Sequence, residues 1–253
     1  MHPIFIRLGD FAIHTYGVLV AVGFALGLWL AARRARVAGI DHEQVQLLGV
    51  WLIVAGMLGA KLFYIVFFWH DFVTGWRVAG IPSLREGFVF YGGFIGAIGA
   101  TILFARTKQL PLWRLADVLA PLVALGHVFG RLGCFFNGCC YGHPCRLPWA
   151  VRFPDPHVLA GTPLHPTQLY EAAGNLALFA GLLAFDRRRR FDGQVWWTYV
   201  VAYGVLRFGI EFFRGDYEAR YAGVLTLSQF IALALIVAGV VGLVTLRRAG
   251  QRA

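Results

Sequence analysis

All four cysteines of the chain lie within a single stretch, FGRLGCFFNGCCYGHPC, which also contains Arg131, Asn137 and His143. Thiols can bind soft metals, form disulfides or act as nucleophiles. Structural zinc sites usually use pairs of cysteines two to four residues apart, whereas these four follow C-x4-C-C-x4-C. The spacing favours a disulfide or simple packing. A metal site and a covalent catalytic cysteine remain as alternatives.

A second set of residues that could do chemistry lies in the sequence YGVLRFGIEFFRGDY. Tyr203, Arg207 and Glu211 are spaced at four-residue intervals, which places them on one face of a helix, and Arg214 follows the glutamate. Glu211 neutralises one arginine, so we expect Arg214 to leave a surplus positive charge. Arg214 and Arg131 together form a cluster suited to phosphate, which guanidinium groups bind through paired hydrogen bonds. The simpler alternative is an internal ion pair between Arg207 and Glu211.

The composition predicts that membrane helices position these groups. Of the 253 residues, 58% are hydrophobic and only 14% are charged, against about 25% charged residues in soluble domains. The net charge of +10 comes from basic residues in short clusters between apolar segments. Such clusters are typical of membrane orientation and exclude a nucleic-acid partner. The N-terminal sequence has no pattern of a cleavable signal peptide.

Seven apolar segments are long enough to be membrane helices, and we expect one all-α transmembrane domain over residues 1–253. A long loop rich in Pro and Gly, residues 130–167, separates the fourth segment from the fifth. The segments are residues 11–32, 45–69, 87–105, 115–129, 168–185, 194–213 and 225–246.

Arginine clusters set the expected orientation, because positively charged loops stay in the cytoplasm. They follow segments one, three, five and seven, which predicts an N-out, C-in topology with the long loop and the cysteines outside. The basic residues concerned are Arg33, Arg34, Arg36, Arg106, Lys108, Arg114, Arg187, Arg188, Arg189, Arg190, Arg247, Arg248 and Arg252.

Other polar residues have structural explanations of their own. In HPTQLYE, Thr167 is a candidate helix cap with Glu171 near the first turn. In FVFYGGFIG, Gly92 and Gly96 form a GxxxG pattern, which predicts close helix packing. Tyr16 is a candidate interfacial anchor.

Several motifs together resemble those of one family, the bacterial prolipoprotein diacylglyceryl transferases. GRLGCFFNGCCYG is similar to the family signature G-R-x-G-N-F-x-N-x-E-x-x-G, and HPTQLYE to its H-P-S-Q-L-Y-E motif. Three more stretches resemble family segments: IHTYG, YGGFIG and YGVLRFGIEFFR. All of these motifs follow one another along the chain in the same order as in the family. The resemblance implies transfer of the diacylglyceryl group of phosphatidylglycerol to the lipobox cysteine of a prelipoprotein, with release of glycerol-1-phosphate.

The resemblance also implies the site residues, and it shows three departures from the family pattern. Cys134 replaces the usual asparagine, Cys139 the usual glutamate, and Tyr91 a histidine that many members carry. The implied catalytic residues are Arg131, Arg207, Glu211 and Tyr16, and the implied substrate-binding residues are Arg131, Asn137, Gly142, Tyr91, Gly92, His165, Gln168, Tyr203 and Arg214.

The resemblance further predicts a monomer in the bacterial inner membrane, without a cofactor or a resident metal. The active site is expected to face the extracytoplasmic side, where phosphatidylglycerol and prelipoprotein signal peptides are the partners. The alternatives are an anionic-lipid transporter or flippase and an inactive lipid-binding membrane protein. Lys61, within the second apolar segment, is the residue that most favours a transporter.

Overall fold

The computed structural model describes residues 2–9, 11–70, 72–74, 89–216, 220–221 and 225–250. Seven long helices and three short antiparallel strand pairs are formed by these residues. The helices are α1 (Thr15–Val37), α2 (His42–Phe67), α3 (Phe90–Thr107), α4 (Leu112–Asn137), α5 (Thr167–Asp186), α6 (Gln194–Glu211) and α7 (Leu227–Gly250). The strands are β1 (Ile4–Leu8), β2 (Phe11–His14), β3 (Val151–Arg152), β4 (Pro163–Leu164), β5 (Arg220–Tyr221) and β6 (Leu225–Thr226), which pair as β1–β2, β3–β4 and β5–β6.

Four of these helices, α1, α2, α4 and α7, are long and apolar enough to cross a membrane. In the most apolar part of α2 only 6% of the residues are buried within the protein. A helix that is apolar and exposed on most sides is suited to contact with lipid rather than water. The helical membrane architecture expected from the composition is therefore confirmed.

The chain divides into two compact units, residues Met1–Leu30 with Ala116–Ala253, and residues Ala31–Leu115. The core of the first unit is formed by small and apolar side chains of α4, α5 and α6. Its buried residues are Ala120, Ala124, Leu182, Val195, Tyr199 and Val200. This core joins α4 to α5 and α6, the helices that carry Arg131, Gln168 and Arg207.

In the second unit, α2 and α3 pack closely through glycines. A Cβ atom on Gly92 would collide with the carbonyl oxygen of Gly59, and one on Gly96 would collide with that of Ala55. Close approach of two helix backbones requires residues without side chains at the crossing. The packing predicted from the GxxxG pattern is confirmed.

The fourth helix ends later than the sequence predicts, at Asn137 rather than at residue 129. Residues 130–137, which were expected in the long loop, are its last two turns. The helix stops at Gly138, which has a φ of +75°, and the Gly138 and Cys139 amides donate to the carbonyls of Phe135 and Cys134, each at 3.2 Å. These two bonds form a Schellman motif. Arg131 consequently lies inside a helix, and its direction is fixed.

Two other predicted boundaries are also moved. Residues 11–14 form β2, because they pair with β1, and α1 begins only at Thr15. The predicted start of the third segment, Gly87, lies outside the described residues, and α3 begins at Phe90.

A buried carboxylate joins α4 to the start of α6. Asp117 is fully buried and accepts hydrogen bonds from the amides of Gly193 at 2.7 Å and Trp196 at 2.9 Å. Arg189 lies 3.6 Å from the same carboxylate. An acidic group at this position satisfies helix N-terminal amides and complements the helix dipole. This role of Asp117 was not predicted from the sequence.

Candidate active site

An ion pair joins two helices of the first unit. The Arg131 guanidinium of α4 lies 3.0 Å from the carboxylate of Glu171 of α5, and their side chains are 19% and 2% exposed. Tyr203 of α6 hydrogen-bonds the same guanidinium. Three helices therefore meet at Arg131. Because the pair is shielded from water, its geometry is held more firmly than that of a surface ion pair.

The start of α5 binds the backbone of the cysteine stretch. The Thr167 hydroxyl donates to the carbonyl of Cys140, and the Gln168 amide donates to that of Cys139, both at 2.7 Å. Pro166 is the N-cap residue, and its side chain makes no capping bond. The prediction that Thr167 caps this helix is therefore wrong: its hydroxyl is used to hold the loop.

Arg207 and Glu211 form the ion pair expected from their spacing, at 2.7 Å. Arg207 also donates to the Ser228 hydroxyl at 3.1 Å, and the Thr226 hydroxyl donates to Glu211 at 2.7 Å. Thr226 and Gln229 form a reciprocal capping box at the start of α7. The cap of α7 thereby orients the carboxylate that pairs with Arg207.

Arg214 is neutralised by a residue that sequence analysis overlooked. Its guanidinium makes two hydrogen bonds to Asp216, at 2.9 and 2.8 Å, and lies 4.0 Å from Glu211. Burial opposes the charged form, but the hydrogen bonds to Asp216 outweigh it and raise the pKa of Arg214 above its usual value. The predicted surplus charge of Arg214 is therefore wrong, although its guanidinium remains part of the cluster.

Gly142 is surrounded by backbone atoms from two segments. Its amide donates to the carbonyl of His165 at 2.9 Å, and it forms a β-bridge with Arg214. A Cβ atom here would lie 2.5 Å from both the His165 Cβ and the Phe213 carbonyl oxygen. Gly142 thus fixes the path of the loop beside Arg214.

The His165 ring belongs to an aromatic group. Its Nδ1 lies 3.2 Å from the Tyr170 hydroxyl, which also accepts a hydrogen bond from Trp149 at 2.8 Å. The ring of Phe213 is 5.4 Å away. These contacts hold the His165 ring against Tyr170 and Phe213.

Three of the four cysteines come together as free thiols. The sulfur atoms of Cys134, Cys139 and Cys140 all lie within 4.8 Å of one another. All four cysteines are free, so the disulfide favoured by the sequence is not formed. Asn137 hydrogen-bonds Cys139.

Tyr16 lies beside the cysteines and Arg131. A Cβ atom on Gly133 would lie 2.8 Å from its ring, so this glycine allows the tyrosine to pack directly on α4. The Tyr16 hydroxyl interacts electrostatically with Arg131 and with the three clustered thiols. It is 43% exposed, which leaves it open to a bound molecule. Two other predicted residues, Tyr91 and Gly92, lie in the second unit at the start of α3.

Three polar side chains of this cluster were not predicted from the sequence: Glu171 as the partner of Arg131, Asp216 and Thr226. A usable signal existed for Glu171, because a carboxylate in an apolar segment has to face the protein interior and pair there. The roles of Asp216 and Thr226 depend on how loops fold back, which residue spacing does not reveal.

Comparison with known proteins gives one consistent family. The family model described as prolipoprotein diacylglyceryl transferase matches residues 3–245. Proteins named phosphatidylglycerol--prolipoprotein diacylglyceryl transferase are similar over nearly the whole chain. The relative from Clostridium tetani is 34% identical over 95% of this chain and 96% of its own. That from Rhodospirillum rubrum is 37% identical over 98% of this chain and 93% of its own. The chain belongs to the prolipoprotein diacylglyceryl transferase family.

Proposed function

We propose that this protein transfers the diacylglyceryl group of phosphatidylglycerol to the lipobox cysteine thiol of a prelipoprotein. A thioether is formed and glycerol-1-phosphate is released. The observation that carries the proposal is the cluster of Arg131, Arg207 and Arg214, each ion-paired and mostly shielded but still accessible, at 19%, 11% and 15% exposure. Family membership supports the same reaction.

The cluster is suited to a reaction in which a phosphate leaves. As the carbon–oxygen bond breaks, negative charge develops on the phosphate ester, and positioned cations stabilise that charge. A guanidinium has five N–H donors, so Arg131 and Arg207 can keep their carboxylate partners and still donate to phosphate oxygens. Glu211 holds Arg207 in place for this purpose, and Tyr16, open to the outside, contacts the reacting groups.

The remaining residues of the site bind and shape the substrates. Tyr203 orients Arg131 and Arg214 contributes to headgroup binding, while Asn137 and Gly142 shape the loop around it. His165 and Gln168 complete the substrate-binding set of the first unit.

We further propose that all seven helices span the inner membrane as one domain over residues 1–253, N-out and C-in. The site then faces the extracytoplasmic side, where signal peptides with a lipobox emerge. The arginine clusters of alternate loops support this orientation. A monomer suffices, because the cluster is built from a single chain.

The test uses the full-length protein in nanodiscs containing phosphatidylglycerol, with a lipobox peptide. Glycerol phosphate release and a diacylglyceryl mass gain of the peptide are expected, and neither is expected with a Cys→Ser peptide. Tight phosphatidylglycerol binding without release would instead favour an inactive lipid-binding protein. Movement of the lipid between leaflets without release would favour a flippase.

A further inference from the structure

The three clustered thiols have the geometry of an open metal site. Two thiolates bound to one zinc ion, at about 2.3 Å each, lie roughly 3.8 Å apart in a tetrahedral arrangement. The sulfur atoms of Cys134, Cys139 and Cys140 lie within 4.8 Å of one another, so a small rotation of the side chains closes the difference. In the part of the chain that the structure describes, no fourth Cys, His, Asp or Glu joins the group. Three protein ligands and one open position are typical of catalytic rather than structural zinc.

The backbone holds these thiols together from both sides. The Schellman motif at Gly138 returns the chain over the end of α4, so that the Cys139 amide meets the Cys134 carbonyl. Thr167 and Gln168 donate hydrogen bonds to the carbonyls of Cys140 and Cys139, respectively. Cys140 has a φ of +63°, a conformation that costs energy for residues other than glycine and is often found at functional sites. The arrangement is therefore specified by the surrounding structure.

The local charge also favours metal binding, which requires deprotonated thiols. The Arg131 guanidinium interacts electrostatically with Cys134 and Cys140. The Cys134 and Cys140 thiols are also hydrogen-bonded to Cys139. Asn137, hydrogen-bonded to Cys139, is an outer partner of the kind that orients metal ligands.

We propose that Cys134, Cys139 and Cys140 bind a zinc ion whose fourth position takes the thiol of the lipobox cysteine. This inference rests on the proposed diacylglyceryl transfer. A free thiol has a pKa of about 8.5 and is mostly protonated at neutral pH, whereas a thiol bound to zinc is deprotonated. Soft thiolate ligands select zinc or Cu(I), and zinc supplies this activation without any redox change.

The reaction balances without an oxidant or a reductant. The lipobox thiol gives its proton to solvent when it binds zinc. Its sulfur then forms a bond to the carbon of the diacylglyceryl group that bears the phosphate, and the bond between that carbon and the phosphate oxygen breaks. The electron pair leaves with the oxygen of glycerol-1-phosphate, beside the arginine cluster. Four thiolates around one Zn²⁺ leave a net negative charge, which keeps the bound sulfur nucleophilic.

The test begins with metal analysis of the full-length protein purified anaerobically under reducing conditions. About one zinc per chain is expected, and replacement by Co²⁺ should give sulfur-to-cobalt charge-transfer absorption. Addition of the lipobox peptide should shift that absorption, whereas the Cys→Ser peptide should not. Cys139→Ser should lower metal affinity and kcat by at least about tenfold, the scale expected for disturbed metal sites. Cys145→Ser, which removes the one cysteine outside the group, is the matched control.

The outcomes separate this inference from the proposed function. Full transfer by metal-free protein, or a disulfide between two of the three cysteines in active protein, would overturn the zinc site and leave the transferase intact. Copper as the bound metal would also overturn the proposal. A cobalt spectrum that shifts with peptide, but no transfer with zinc, would contradict the transferase and with it the activating role. A stable fold of Cys139→Ser is checked by its Tm and by phosphatidylglycerol binding.

Discussion

The Arg131 guanidinium of α4 is bound to the Glu171 carboxylate of α5 at 3.0 Å, which joins two sequence motifs that are far apart in the chain. Both side chains lie in helices, and the carboxylate is almost fully buried. A guanidinium paired in this way has a fixed orientation and spare donors. Its direction is therefore set before substrate binds, which is the preorganisation that charge stabilisation in a transition state requires.

Replacement of Arg131 by lysine tests whether the reaction needs only the positive charge of this side chain or also its planar geometry. Arg131→Lys keeps a cation beside Glu171 but loses the planar fork that binds phosphate through two bonds. We expect a near-normal fold and a fall in kcat/KM of about 100-fold, the scale of one lost charge-stabilising donor. Glycerol phosphate release and thermal unfolding in detergent measure the two effects.

The alanine variant should behave differently from the lysine variant. Arg131→Ala leaves Glu171 buried without its partner, at a cost of about 3–5 kcal/mol. We expect a clear fall in Tm as well as lost activity. An Arg131→Lys protein with full activity would contradict the assignment of Arg131.

The hydroxyl of Thr226 serves two groups at once, as the N-cap of α7 and as a donor to Glu211. Thr226→Val keeps the side-chain shape and removes both bonds, which should destabilise the protein by about 1–3 kcal/mol. Because Glu211 then loses its orientation, kcat should also fall. Thr245→Val is the control, since that hydroxyl bonds only carbonyls of its own helix. Equal effects of the two variants would show that Thr226 has no special role.

Gly142 has no space for a side chain between His165 and Phe213. Gly142→Ala should therefore force the loop away from Arg214 and destabilise the protein by about 1–3 kcal/mol, as overpacking does. Gly126→Ala, on α4 with nothing within 4 Å of the added atom, should be neutral or slightly stabilising because alanine favours helices. Thermal unfolding of the pair measures the difference. If Gly142→Ala is as stable as Gly126→Ala, the loop is not held as described.

Residue patterns predicted the helical membrane fold and the Arg207–Glu211 pair, because both follow from local periodicity. The close packing of α3 on α2 at Gly92 and Gly96 was also predictable, since it needs only spacing and small side chains. Asp216 and the extension of α4 to Asn137 were not predicted. The contact between Asp216 and Arg214 depends on a turn that folds back on the arginine. The extension of α4 depends on a glycine cap that lies beyond the apolar segment. The convergence of three thiols required both the cap and the bonds from α5.

Asp117 should stabilise the fold without taking part in the chemistry. It lies fourteen residues before Arg131 on α4, which is about 21 Å along the helix. Asp117→Asn keeps the shape but removes the charge that binds two α6 amides and Arg189. We expect a loss of about 1.5–3 kcal/mol, the value of hydrogen bonds to a charged group, with kcat per folded molecule unchanged. Asp192→Asn is the matched control, because Asp192 is 36% exposed and lies 4.0 Å from Arg189. A fall in kcat for Asp117→Asn at unchanged Tm would refute this division and extend the functional region to the opposite end of α4.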